Sequence, residues 1–462
     1  MNQDRSPEAR KQSEDDQELL FQQRRESEYS DYSHVEISGG GEDSGNVLST
    51  STALNQCEKK VLNPYLGLLK ILGWRPVVQN VTIFRRTFNQ IYLLFIFSLL
   101  IASYVLKIFV CDSSIATGPT ISTPHVNRTG LPTRVPAHSI VPAATRTWHC
   151  RHLFTTYLIP ESIHGLAYVY LFYHFRIKET EQLSSLVQTV FLQSCNIQST
   201  RKSQRKLITI LRMFLVLGCV WVGMTVLSIC LQVANQYVNK SERGNVNYND
   251  WQITVVVCGH FIVNLVYMAI ALNYCTQCQL LIHYVQYILL CIQERSLELK
   301  RVMQDVFKLK RFVSRLNGQM ATATSLCLFS QANWFLFGFV NFLKRFYNDR
   351  TSSSAISWTH AALFPLLWLF ALAPVLIQAS RLTTICSKLR FSGLTVRLFG
   401  YQNCSPIDLD SFSSFLLTAK MEAKLFAFPI SRKVVIGLIS GAGIIFLLLV
   451  QLDPSVQLSI RI

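Results

Sequence analysis

The chain has 462 residues, half of them hydrophobic and 15% charged, with a mean hydropathy of +0.27. Soluble domains carry about 25% charged residues, so this composition excludes an ordinary soluble protein and points to a multi-pass membrane protein. The net charge of +17 is split: residues 1–60 hold thirteen acids and seven bases, the rest fourteen acids and thirty-seven bases. A basic excess beside apolar runs serves topology and anionic lipid, not nucleic acid.

Residues 1–60 are rich in Ser, Glu, Gln and Asp and cannot bury a core, so a disordered cytoplasmic tail is expected. The first long apolar run starts near residue 91, too late for a secretory signal. Residues 61–75 form a short amphipathic segment just before the first span, either an interfacial or an ordinary juxtamembrane helix. Seven long apolar segments follow, near 89–110, 153–175, 207–233, 252–274, 322–343, 357–379 and 434–452, each near or above the length that spans a bilayer. The fourth keeps its apolar pattern to about residue 292, and the charged stretch 295–317 precedes the fifth, so long helices are expected to project from one membrane face.

Loop charge sets direction. With the N-terminus inside, the inner flanks hold 25 Lys plus Arg and the outer flanks 10. The expected fold class is therefore an all-α membrane protein with seven transmembrane helices, N-terminus cytoplasmic and C-terminus extracellular. Two sequons, Asn127-Arg-Thr and Asn239-Lys-Ser, fall in outer loops and are candidate glycosylation sites. Cys111 and Cys150 bound the outer loop 111–151; they form either a disulfide closing it or two unrelated helix-end thiols.

The direction is opposite to that of G-protein-coupled receptors, and Asp-Arg-Tyr and Asn-Pro-x-x-Tyr are missing from the third and seventh spans. An enzyme is not expected, because no Ser/His/Asp set, H-E-x-x-H or Gly-rich phosphate loop occurs. Cys275-x-x-Cys278 has no second pair, and His164, His260 and His360 each stand alone on a helix, so neither a metal nor a cofactor is expected.

Candidate ligand groups lie toward the outer helix ends. The second span offers Tyr157, Glu161 and His164. Glu161 is the only acid in any span, and it shares a helix face with His164. His260 and Asn264, four apart, share a face of the fourth. Trp334, Trp358 and His360 add aromatic and polar surface on the fifth and sixth. Aromatics with a few aimed polar groups suit a small-molecule ligand. Each Trp is equally explained as an interfacial belt residue, and Glu161 as one half of a structural pair.

The last segment, VVIGLISGAGIIFLLLVQL, carries Gly437-x-x-x-Gly441 and a lone amide, Gln451. Gln451 is either an interfacial amide or, repeated by symmetry, a ring at a pore mouth, with Leu447 and Leu448 as an apolar constriction below it. Pro406-Ile-Asp408 reads as a turn and N-cap opening a helix over 409–427.

The C-terminal stretch resembles the insect gustatory receptors and their gustatory-receptor-like relatives. Their last helix bears Thr-Tyr, five hydrophobics and Gln-Phe. Here the matching residues are Ile444-Ile445, Phe446 to Val450, and Gln451-Leu452. The stretch FLLTAKMEAKLFAFPISRKVVIGLIS, 415–440, resembles the family's cytoplasmic helix and Phe-containing turn into that span. The resemblance implies a plasma-membrane, ligand-gated, non-selective cation channel, a homo- or hetero-tetramer whose last helices line the pore. It implies the division 1–60 tail, 61–293 spans one to four, 294–433 spans five and six with cytoplasmic anchor helices, and 434–462 pore helix and external C-terminus. A receptor or scaffold of the same fold without a pore, or a secondary transporter, is the alternative.

Overall fold

The computed structural model describes residues 50–76, 83–116, 158–177, 182–193, 200–241, 250–348, 355–401, 404–437 and 440–441. All of them belong to the unit Thr50–Ile462. The described chain is almost wholly helical: α1 Thr50–Cys57, α2 Asn63–Ile71, α3 Ile83–Ala116, α4 Ile159–Phe172, α5 Gln182–Gln193, α6 Thr200–Ser241, α7 Asp250–Glu294, α8 Leu299–Arg315, α9 Ala321–Asn348, α10 Ala355–Phe399 and α11 Pro406–Thr418. Two-residue strands β1 Lys424–Leu425 and β2 Phe428–Pro429 pair antiparallel after α11.

Among the described residues, five stretches are long and apolar enough to cross a membrane: Thr87–Val105, Gln204–Val233, Ile253–Glu294, Leu299–Leu343 and Trp358–Phe399. They match the expected first, third, fourth, fifth and sixth segments. The helices run past the expected ends, most of all in α10, because hydropathy falls where charges begin whereas the backbone ladder continues through them. The second segment is described from Leu158, where α4 continues into a π-helical turn ending at Ile177. Of the last, residues 432–437 and 440–441 are helical, and the pore candidates Leu447, Leu448 and Gln451 lie outside the described residues. Tyr157, Asn127 and Cys150 also lie outside them, as do the side chains of Cys111 and Asn239.

Helix α7 is the centre. Its 45 residues extend about 67 Å at 1.5 Å per residue, against about 30 Å for a bilayer core. Between Ile262 and Ile292 nearly every side chain is buried, polar ones included. Helices α3, α6, α8 and α10 pack around it, and α9 packs on α4 and α10. The outer helices keep apolar faces exposed: Phe88, Ile91, Leu94 and Phe95 on α3, Met213, Val216 and Val220 on α6, Leu366, Leu369 and Phe370 on α10. An apolar face of that extent suits lipid contact. Two interior prolines, Pro365 and Pro374, sit in α10, as spanning helices tolerate.

Helix α8 presents Leu299, Val302, Val306, Leu309 and Val313 to the interior and its bases outward. Tyr284 Oη of α7 donates to Asp305 O at 3.4 Å. So charged α8 lies against the C-terminal half of α7.

Residues 61–75 bury an apolar face inside the protein: Tyr65, Leu68, Leu69, Leu72 and Trp74 are buried, Tyr168 Oη donates to Leu72 O at 2.9 Å, and Trp74 stacks on Phe175 at 5.7 Å. One expectation is corrected: no helix runs over 409–427. Ser405 is the N-cap: its Oγ accepts from Asp408 N at 3.2 Å and donates to Asp408 Oδ2 at 2.8 Å. Helix α11 then ends at Thr418.

The chain beyond α11 is pinned instead by side chains. Asn317 donates to Glu422 O at 2.8 Å and accepts from Lys424 N at 2.9 Å; Thr383 Oγ accepts from Ala423 N at 3.2 Å, and Ser325 Oγ from Phe426 N at 2.8 Å. Between β1 and β2, Phe426 and Ala427 both have positive φ, +52° and +65°. That is the turn whose backbone matches strand twist, usually supplied by Asn-Gly.

Helices α3 and α7 approach closely where Gly259 meets Ser103: a Cβ there would lie 2.5 Å from Ser103 Cβ. Gly223 on α6 is exposed, with nothing within 4 Å. Gly259→Ala is expected to destabilise the purified protein by about 1–3 kcal/mol through overpacking. Gly223→Ala should be neutral or stabilising by up to about 1 kcal/mol. Thermal unfolding followed by tryptophan fluorescence checks both.

Candidate functional site: a buried polar and aromatic cluster

Four helices bring polar groups together at one level. Pro160 and Glu161 open α4, where a proline needs no N–H partner and an acid suits the helix dipole. Glu161 is 3% exposed and His164, one turn on, is 0% exposed. Both are buried inside the bundle, where an ionisable group is costly to place.

From α3, Tyr104 Oη lies 2.5 Å from His164 Nδ1. From α7, the ring of Tyr267 packs on the His164 ring, centroids 4.2 Å apart. Tyr267 Oη and Ser330 Oγ of α9 are 2.6 Å apart, and Ser330 Oγ donates to Pro160 O at 3.1 Å. The single hydroxyl hydrogen of Ser330 is used on that carbonyl, so Tyr267 is the donor of the pair. The network thus ties α9 and α7 to the first turn of α4, while Tyr104 ties α3 to its second.

Aromatic rings extend the cluster. Tyr267 meets Trp368 edge-on at 5.4 Å, and Trp368 stacks with Trp334 at 6.2 Å. Trp221 of α6 meets Trp368 at 5.9 Å and donates its indole N–H to Leu367 O at 2.9 Å. Phe364 bridges Trp334 and Trp368, each at 6.2 Å, and His360 packs on Phe364 at 5.9 Å. Gly338 permits that approach of α9 to α10, since a Cβ there would lie 2.5 Å from Phe364 Cδ1.

So the structure assembles Glu161, His164, Trp334 and, at one end, His360 into one connected group. Asn264 is fully buried one turn before Tyr267 on α7, and its amide donates back to His260 O at 2.9 Å. Trp358 meets Phe342 edge-on at 6.3 Å. His360, Phe364 and Trp368 are four apart and share a face, and Trp358 is displaced from that stripe by two positions.

The sequence reading missed Tyr104, Tyr267, Ser330, Trp221 and Trp368. A signal existed for several. Tyr267 extends the His260/Asn264 stripe by three, Ser330 precedes Trp334 by four, and Trp368 completes the stripe from His360. Tyr104 and Trp221 carry no such mark, since each joins only by tertiary packing. The described residues contain no group of three metal-ligating side chains.

The sequence matches no protein-family model and no curated protein. Among solved structures, the chain is similar to the insect olfactory receptor OR5 from Machilis hrabei in complex with eugenol, at 10% identity and a TM-score of 0.62, covering 87% of this chain and 100% of that one. It is likewise similar to the OR5 structure described without eugenol, at 9% identity and a TM-score of 0.58, covering 85% and 98%. At such identity the likeness is one of fold: this helical membrane protein has the architecture of an insect olfactory receptor.

Proposed function

We propose that this chain is a chemoreceptor channel: a ligand-gated, non-selective cation channel that senses a small molecule at the plasma membrane. The observation that carries this reading is the likeness of fold to an insect olfactory receptor over 87% of the chain, one structure of which is a complex with a small phenol, eugenol. The loop charges and the gustatory-receptor-like pattern at 444–452 support it independently. In this reading seven helices span, the N-terminus is cytoplasmic, the C-terminus is external, and four subunits, identical or mixed, surround a pore. Gln451 rings the outer mouth above Leu447 and Leu448. Asn127 and Asn239 carry glycans, and a Cys111–Cys150 bridge closes the first outer loop.

The ligand site lies in or beside the cluster around Glu161, His164 and Tyr267. Its rings offer stacking surface, and its phenols, imidazole and carboxyl offer the few directed polar contacts that orient a small ligand. Such a site favours a compact amphipathic molecule with an aromatic or apolar body and one or two polar groups. Tyr157, His260, Asn264, Trp334, Trp358 and His360 complete the proposed set of ligand groups.

The reading is tested by whole-cell recording during application of a panel of small phenols, terpenoids and sugars. The expected result is a ligand-dependent cation current; its absence despite surface expression across the panel would overturn the channel. Glu161→Gln keeps shape and removes charge. It should shift the half-maximal ligand concentration roughly tenfold, the scale of one hydrogen bond to a charged group, and an unchanged value removes Glu161 from the ligand response. Gln451→Ala should alter relative cation permeability or block, with surface level unchanged. An epitope tag on the C-terminus should be stained on intact cells; staining only after permeabilisation reverses the orientation.

A further inference from the structure

At the other end of α7 lies a small basic cavity that the chemoreceptor reading does not use. Its volume is about 110 Å³, and Ile282, Gln286, Arg381, Thr384, Lys388 and Arg432 line it. Arg381, Thr384 and Lys388 recur at helical spacing on α10, Ile282 and Gln286 one turn apart on α7. Arg432 comes from the residues entering the last apolar segment. Three cations converge from two separate parts of the chain, and no acid lines the space.

None of Arg381, Lys388 and Arg432 makes an ion pair or side-chain hydrogen bond with a described residue. Glu422 lies within electrostatic reach of Cys386 on α10, but it is not part of the lining. Arg381, Lys388 and Arg432 are exposed and bring three positive charges to the border of one space, an arrangement that suits an anion seated between them. Arginine forks match phosphate oxygens bidentately, and lysine adds a point charge. The space is open on one side and has room for several waters or a phosphate-sized group.

Its level is equally informative. Arg381 follows directly on the sixth apolar segment, 357–379, and Arg432 directly precedes the seventh, 434–452. Both cations therefore stand where helices leave the apolar layer, on the same side as charged α8. Loop charge assigns that side to the cytoplasm, whose leaflet carries anionic lipid.

We propose that Arg381, Lys388 and Arg432 form a binding site for a phosphate-bearing anion at the cytoplasmic membrane boundary, joining α10 to the start of the last helix. Two sources share this chemistry: the phosphorylated headgroup of an inositol lipid and a soluble inositol phosphate. The occupied site holds the entry of the last segment against α7 and α10.

The test uses the full-length chain, with Arg381→Gln/Lys388→Gln/Arg432→Gln against a control of equal charge loss on exposed α8, Arg301→Gln/Lys310→Gln/Arg311→Gln. One arm measures binding of phosphatidylinositol bisphosphate by chain reconstituted in phosphatidylcholine nanodiscs. The other measures binding of free inositol trisphosphate in detergent. Wild type and control should bind in at least one arm, and the cavity variant at least roughly tenfold more weakly, given the contribution of each base near an anionic surface. Binding in the lipid arm alone assigns a headgroup, and binding in both assigns the phosphate group itself. Single Arg381→Gln and Arg432→Gln variants, each expected to weaken binding measurably, guard against misfolding of the triple variant. Equal binding by wild type and cavity variant, equal loss in the control, or no binding in either arm overturns the proposal.

Discussion

A buried helix in a membrane protein must satisfy its polar groups without water, and α7 places that demand at the centre of this fold. Its backbone bonds are internal, but its polar side chains are not so easily placed. The chain answers locally where it can: Asn264 bonds back to its own helix, and Gln277 donates to Asn273 at 3.0 Å. Elsewhere the partners come from neighbours. Asn273 reaches Met320 Sδ at 3.1 Å, Tyr267 donates to Ser330, and Tyr284 reaches α8. Each contact fixes the rotation of a surrounding helix about α7. The apolar faces of α3, α6 and α10 then point outward because the inward faces are committed.

The same constraint divides what could be read from the sequence from what could not. Spans are legible because twenty apolar residues have few other uses, and the charged amphipathic α8 is legible because its bases leave one clean apolar stripe. Glu161 and His164 were legible as an oddity, an acid and an imidazole in an apolar segment. What they touch was not, since Tyr104 and Tyr267 come from helices sixty and about a hundred residues away. Residues 61–75 are ambiguous for a related reason: an apolar face looks the same whether lipid or protein covers it. The end of α11 was hidden because the residues after it, Ala419 to Leu425, are strong helix formers, while the chain's hydrogen bonds go to Asn317, Thr383, Ser325 and the short β1–β2 pair rather than into a helix.

Two chemically opposite regions share the same scaffold. Around Tyr267 the groups are aromatic and neutral or buried; around Gln286 they are cationic and open. Nineteen residues of continuous α7 helix separate them, about 28 Å, and α10 runs beside both. A continuous hydrogen-bonded helix transmits displacement with little loss. A change in how the rings pack at one end therefore has a stiff route to the other, with the prolines of α10 as the points where that helix bends most easily.

The turn at Phe426 and Ala427 bears on that route. Left-handed backbone at two residues that carry a Cβ costs about 1–2 kcal/mol each, and glycine would remove the cost. The chain keeps the costly residues and clamps the turn with Ser325 on one side and the pairing of Lys424 with Pro429 on the other. A joint built this way has no slack. It behaves less like a hinge than like a welded elbow, so the start of the last segment cannot drift independently of α9. Movement of that helix must carry the elbow with it, and the direction in which Arg432 leaves is set by the helix bundle, not by loop fluctuation.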